Sequence, residues 1–159
     1  WNNTVSYKDF DLNVFFRFSG GNKILNASRQ SALFNMDFSN NGTEILGRWV
    51  SPEQPGDGMT PKIGYGDASS LFNDGYTDSH FVESGNYLKL STLALGYTLP
   101  KAVVSKLNMT KIRFYVQGQN LLTITGYSGL DPETNSRLGV DWNGMPQQRS
   151  FTFGANITF

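Results

Sequence analysis

The chain ends RSFTFGANITF, where Phe151, Phe153, Ala155, Ile157 and Phe159 alternate with Ser150, Thr152, Gly154, Asn156 and Thr158. A period of two describes a β-strand with one apolar face. Three other segments share the pattern. In YKDFDLNVFFRFSGGNKILN, Phe10, Leu12, Val14, Phe16 and Phe18 alternate with Asp11, Asn13, Phe15 and Arg17. That run exceeds the roughly 5–6 residues usual for strands of globular proteins, and Gly20-Gly21 mark a bulge or bend. In FVESGNYLKLSTLALGYTLP, Leu93, Leu95 and Tyr97 form an apolar set, while Leu88 and Leu90 lie on the opposite parity, which predicts a slip or a change of environment between them. In KIRFYVQGQNLLTIT, Ile112, Phe114 and Val116 face away from Lys111, Arg113, Tyr115 and Gln117.

These segments predict strands at about 8–25, 82–98, 111–124 and 148–159. The first and second are separated by a loop over about 27–80, whose stretch SPEQPGDGMTPKIGYGDASS is dense in turn formers and predicts irregular surface. Loops this long are usually functional or mobile. The second and third are joined by a short turn over about 99–110, in which Pro100 suits a helix start and Val103, Val104 and Leu107 form a small apolar face. The third and fourth are separated by a second long loop over about 127–147. Four strands with short turns at one end and long loops at the other predict an all-β chain of the transmembrane antiparallel β-barrel class. The alternative is a soluble carbohydrate-binding β-sandwich, whose strands also alternate.

Composition sharpens this reading. Only 16% of the 159 residues are charged, against about 25% in an average soluble domain, while 14% are aromatic. Mean hydropathy is nonetheless −0.35, because neutral polar residues are abundant, as suits strands with one greasy and one wet face. The formal net charge is zero, which offers no electrostatic footprint for nucleic acid. The absence of cysteine excludes disulfides, thiolate metal sites and a cysteine nucleophile. No stretch reaches the ~18 apolar residues of a membrane helix. WNNTVSYKDF resembles no signal peptide and lacks an initiator Met, so the chain reads as the tail of something longer.

Three stretches resemble a known family. NYLKLSTLALGYTLPKAVVSKLNMTKIRFYVQGQNLLTITGYSGLDPE is similar to the C-terminal region of the SusC/RagA family of TonB-dependent outer-membrane transporters. The matching residues are Tyr87, Leu88, Lys89 and Leu90, then LGYTLP from Leu95 to Pro100, then Arg113, Tyr115, Gly118, Gln119, Asn120, Leu121 and Thr123, and Asp131, Pro132 and Glu133. The tail PQQRSFTFGANITF resembles the family's closing strand, and SYKDFDLNVFFRFSGGNKILN an earlier one. Lys89 stands where Arg is more usual, and Gln117 where Ser or Ala is common.

The resemblance implies a barrel of about 22 antiparallel strands, of which this chain supplies the last four, with an N-terminal plug absent from it. It implies import of glycans or peptides at the outer membrane of a Gram-negative, Bacteroidetes-like bacterium. A SusD-like surface lipoprotein acts as lid, and TonB supplies energy through the plug region. It implies no enzyme activity and no cofactor. The C-terminus is expected in the periplasm, with residues 99–109 and 1–7 in periplasmic turns and the two long loops outside. Phe151, Phe153, Ile157 and Phe159 are expected to face outer-membrane lipid, and the terminal aromatic strand to present the signal read by the barrel-assembly machinery.

Chemistry-bearing constellations are few. The single histidine, His80, follows Asp78 and Ser79, but neighbours on an extended chain point to opposite faces, so no catalytic triad is expected. Asp131 and Glu133 in GLDPETN offer oxygen ligands for calcium, yet the pattern favours an Asp-Pro turn and no metal. Trp49, Tyr65, Tyr76, Tyr127 and Trp142 in the loops have the aromatic surface to contact an oligosaccharide or peptide cargo, or the lid. Trp49, within GRW, is also suited to anchoring its loop. Three Asn-x-Thr pieces match the glycosylation pattern, as chance predicts in so Asn-rich a chain.

Overall fold

Alternation along the chain is realised as one antiparallel sheet. The computed structural model describes residues 1–33, 41–62, 79–133 and 138–159, with side chains through residue 30 in the first stretch. The strands are β1 (Asn2–Tyr7), β2 (Phe10–Ser19), β3 (Lys23–Asn26), β4 (Val82–Ser84), β5 (Tyr87–Thr98), β6 (Lys111–Thr125), β7 (Val140–Asp141) and β8 (Ser150–Thr158). The main sheet has the order β1-β2-β5-β6-β8, and β4-β3-β7 form a second, small sheet. The chain forms two units, one containing the main sheet and the other residues 22–84 and 127–146.

Rows across the main sheet sort side chains by chemistry. Opposed positions Tyr7, Phe10, Tyr97, Phe114 and Ala155 make one row, and Val5, Leu12, Leu95, Val116 and Phe153 the next. On the other face, Thr4, Asn13, Ala94, Gln117 and Thr152 share a row. The apolar face has no cover: Phe10 is 50% exposed, Phe114 50%, Phe151 66%, Phe153 78% and Phe159 85%. So large an exposed apolar face calls for a cover that the described residues do not supply. Buried hydrophobic residues of this unit are limited to Val104 and Ile112. The sheet therefore has no second layer sharing a dry core with Phe151, Phe153 and Ile157, which is what a sandwich would need.

The parity change at Leu88 and Leu90 has a geometric cause. Between the Phe16–Leu90–Leu122 row and the Val14–Leu93–Gly118 row, β2 advances two residues, β5 three and β6 four. Extra residues are accommodated by bulges, including Asn120 in the left-handed region at φ 53°. Leu88, Leu90, Leu93, Leu95 and Tyr97 consequently share rows with the apolar positions of β2.

The element boundaries differ from the sequence reading at three places. Residues 1–7, expected as a turn, form β1 and give the sheet five strands rather than four. NNTVSY hides this because the strand is short and only Val5 and Tyr7 mark its apolar face; it is held by its β2 ladder and by Asn13 Nδ2, which donates to Asn2 Oδ1 and Thr4 Oγ1 at 2.9 Å each. The segment 8–25 divides into β2 and β3, in different sheets, at Gly20-Gly21, where Gly21 has φ 84°. The segment 82–98 likewise divides into β4 and β5 around Gly85-Asn86.

The second unit is built where irregular surface was expected. Ile24, Ala27, Phe81 and Tyr127 are buried and give it a core. β3 pairs antiparallel with β4 and parallel with β7, and helix α1 (Ala27–Leu33) follows β3 directly. No helix among the described residues is long and apolar enough to cross a membrane, a fact that concerns helices only.

Candidate recognition surface of the loop unit

Asn26 starts the site. Its Oδ1 accepts the Arg29 N–H at 2.8 Å, capping the first turn of α1. That cap orients Arg29, whose Nη2 and Nε donate to Glu44 Oε2 at 2.8 and 3.2 Å and whose Nη1 donates to Glu83 Oε1 at 3.3 Å. Glu83, on β4, also accepts the Ser128 N–H at 2.9 Å, the Ser128 hydroxyl at 2.7 Å and Asn26 Nδ2 at 3.2 Å. One guanidinium and one carboxylate thus join segments that are far apart in sequence.

Electrostatics follow from these contacts. The hydrogen bond to Glu44 raises the Arg29 pKa further. Burial pushes Glu83 up, but the Ser128 N–H and hydroxyl, Asn26 and the charge of Arg29 outweigh it and leave the carboxyl below its ordinary value. Burial and the Asp141 carboxylate raise the Tyr127 phenol.

A cavity of about 290 Å³ opens among these groups, lined by Ser28, Arg29, Glu44, Leu130, Asp141 and Asn143, among others. Asp141 shapes one wall: its Oδ2 accepts the Tyr127 hydroxyl at 2.6 Å and its Oδ1 accepts the Asn143 N–H at 2.9 Å. Trp142, between two lining residues in sequence, is 74% exposed, and Leu130 is 68% exposed. A cavity whose lining mixes charged, polar and apolar surface suits recognition of a polar ligand with some apolar surface.

The sequence-predicted residues fall in different places. Trp142 is presented to solvent, whereas Tyr127 is buried with its hydroxyl engaged by Asp141. Trp49 is 36% exposed; its backbone N–H donates to Thr60 O at 2.9 Å and Lys62 Nζ lies 5.8 Å from its ring centroid. That tie sits beside a turn in which the Asp57 carboxylate accepts the Thr60 N–H, the Met59 N–H and the Thr60 hydroxyl, which hold its pKa below the usual value. Tyr65 and Tyr76 lie outside the described residues, as does Asp78. Asp131 is buried and its Oδ1 accepts the Glu133 N–H at 3.0 Å, the geometry of an Asx turn. No group of three or more His, Cys, Asp or Glu that could hold a metal occurs among the described residues. Ser79 and His80 share a 3-10 turn, and the His80 ring packs edge-on against Phe81 at 5.0 Å.

Sequence reasoning missed Arg29, Glu83, Asn26 and Ser128. The only local signal was Asn26 ahead of ASRQSAL, a capping residue before a helical stretch. The partners of Arg29 lie 15 and 54 residues away.

No family model matches the chain. A TonB-dependent receptor of Formosa agariphila is 32% identical over 100% of the chain and 16% of the relative. A second receptor of that organism is 30% identical over 99% of the chain. The TonB-dependent receptor SusC of Bacteroides thetaiotaomicron is 26% identical over 98% of the chain and 14% of the relative. Among solved structures, the RagAB peptide transporter superposes with a TM-score of 0.78 at 27% identity, over 97% of the chain and 16% of the transporter chain. The RagAB peptide importer in its open-open state gives 0.77 at 26% identity. The chain therefore spans about a sixth of the length of these relatives.

Proposed function

This chain is of the SusC/RagA type of TonB-dependent outer-membrane receptors, and from that premise we propose that it supplies closing strands of a nutrient-import barrel. In this reading the C-terminus is periplasmic, and the loops 27–80 and 127–147 face the cell exterior. A SusD-like lipoprotein covers the mouth, and TonB acts through a plug contributed by other parts of the protein. The cargo is a glycan or a peptide, drawn past the cavity bordered by Arg29, Glu44 and Asp141. Phe151, Phe153, Ile157 and Phe159 face lipid, and the terminal strand serves the barrel-assembly machinery.

One observation carries this reading. The rows from Val5 to Phe153 and from Tyr7 to Ala155 leave an apolar sheet face uncovered, while the opposite face is polar. A barrel wall between lipid and a wet lumen uses both faces. The matched relatives are receptors rather than enzymes. The test is the full-length protein in its native membrane: it should fractionate with the outer membrane, resist SDS until boiled, and be required for growth on its oligosaccharide or peptide cargo. A soluble, boiling-insensitive species would overturn the proposal and favour the sandwich.

A further inference from the structure

The two tight connections of the main sheet lie at the same end of it. The turn between β1 and β2 consists of Lys8 and Asp9, and Thr98 N–H, at the end of β5, donates to Asp9 O at 2.8 Å. The connection from β5 to β6 contains the helical turn Lys101–Val104, the 3-10 turn Ser105–Leu107, and a Leu99 N–H bond to Ile112 O. Val104 is buried, whereas Val103 and Leu107 are 45% and 54% exposed.

Charge is distributed unevenly at this end. Lys8, Lys101, Lys106 and Lys111 are exposed there, and Asp9 is the acidic residue among the connecting positions 8–9 and 99–110. Asp11, the next carboxylate along β2, is bound to Arg113. Lys8 borders the aromatic row Tyr7, Phe10, Tyr97 and Phe114, its Nζ 5.4 Å from the Tyr7 ring centroid, while Lys101 and Lys106 lie in the connection that follows β5 and Lys111 begins β6. In that row a groove of about 290 Å³ runs along the apolar face between Phe10, Leu95, Tyr97, Phe114 and Val116, and its exposed lining is almost wholly apolar. Phe10 and Tyr97 pack with their rings tilted by 37° and 4.7 Å between centroids to form part of its wall.

We propose that this end of the sheet holds a specific anionic phospholipid, the exposed lysines engaging its phosphate and the groove between Phe10, Tyr97 and Phe114 taking its acyl chain. The inference rests on the membrane reading above and adds a defined ligand to it. Aromatic residues concentrate where hydrocarbon meets headgroups. Lysines beside that level attract anionic lipid. A free phosphate is a poor fit, because exposed ammonium groups bind small anions weakly in water. Anchoring the phosphate to a chain seated in the groove removes that weakness.

The experiment uses the full-length receptor, delipidated in detergent, with native mass spectrometry of bound long-chain phosphatidylglycerol against phosphatidylcholine. Wild type should retain the anionic lipid about tenfold over the zwitterionic one, and each of Lys101→Gln and Lys106→Gln should cost about fivefold of that retention. Dihexanoylphosphatidylglycerol, which cannot fill the groove, should be lost. Equal retention of both headgroups, a preference unchanged in the double variant, or short-chain lipid bound as well as long would each overturn the site. The boiling-dependent gel shift, read on the same samples, separates the two failures. A wild-type receptor with no shift refutes the membrane reading and the lipid site with it. A shifted receptor with no headgroup preference refutes the lipid site alone. Variants must show the wild-type shift, which confirms that they fold.

Discussion

Arg113 reaches Asp11 across the strand that separates them: its Nε donates to Oδ1 at 2.8 Å and its Nη2 to Oδ2 at 2.5 Å. On the intervening strand Asp11 pairs with Gly96 while Arg113 pairs with Thr98, so the bridge runs diagonally over Gly96, where a Cβ would collide with both Arg113 Nη2 and Asp11 Oδ1. Arg113 also lies 5.5 Å from the Tyr115 ring centroid, and that ring in turn occupies the space a Cβ at Gly154 would need. Two glycines in separate strands therefore allow long polar side chains to lie flat along the polar face, and both belong to the motifs LGYTLP and FTFGANITF.

Gly96→Val should break this bridge and lower the stability of the full-length barrel by about 1–2 kcal/mol, the lower end because both partners are partly exposed. Denaturant unfolding in detergent checks it. In an Asp11→Ala background the added loss from Gly96→Val should shrink, and strict additivity would show that Gly96 is not there to clear the bridge.

Phe153→Arg places a charge on the uncovered apolar face. Near the bilayer midplane this should cost about 2–4 kcal/mol, read from folding titrations in lipid vesicles. Thr152→Arg, on the polar face, should be far milder. Equal penalties would mean that the faces are not distinguished by lipid.

Removing Phe159 from the full-length receptor should reduce outer-membrane assembly more than synthesis. Boiling-shifted barrel should fall while total protein in pulse-labelled cells stays level. Unchanged barrel levels would remove any recognition role for the terminal aromatic.

Protonating Glu83 should loosen the loop unit. Its folded pKa is depressed, so its stabilising contribution is fully present above the ordinary glutamate value of 4.5 and is lost as pH falls through the lower folded value. Limited proteolysis with an acid-active protease should show wild-type protection declining below that pH more steeply than in Glu83→Gln. Parallel profiles would assign the acid response to other groups, Asp57 first among them, since its pKa is also lowered.

Trp142→Ala and Tyr127→Phe should separate recognition from scaffolding. The exposed Trp142 should weaken cargo uptake, raising the half-saturating concentration severalfold, with protease protection unchanged. Tyr127→Phe leaves the buried Asp141 short of a 2.6 Å donor and should loosen the loop unit by about 1–2 kcal/mol. If Trp142→Ala also loosened the unit, it would be scaffold rather than contact.

Much of the main sheet was legible because alternation is a local property. Phe10 to Phe18, Ile112 to Val116 and Phe151 to Phe159 each declare a two-sided strand within ten residues. β1 was not legible, since only Val5 and Tyr7 within it carry an apolar signal and the strand is defined by its ladder to β2. The loop unit was read as irregular because its strands are short and the ion-pair partners of Arg29 are distant in sequence. Trp142 and Tyr127 were indistinguishable in sequence as loop aromatics, and burial alone separates them.

The sequence by itself determined which side chains share a face in the longer strands, and its motifs indicated the family, because both depend on order along the chain. Only the tertiary structure decided the growing bulge that brings Leu88 and Leu90 onto the apolar face, the reach of Arg113 over Gly96, and the meeting of Arg29 with Glu44 and Glu83. These depend on register and on contacts between distant segments, where hydrogen-bond satisfaction across strands, rather than local propensity, selects the arrangement.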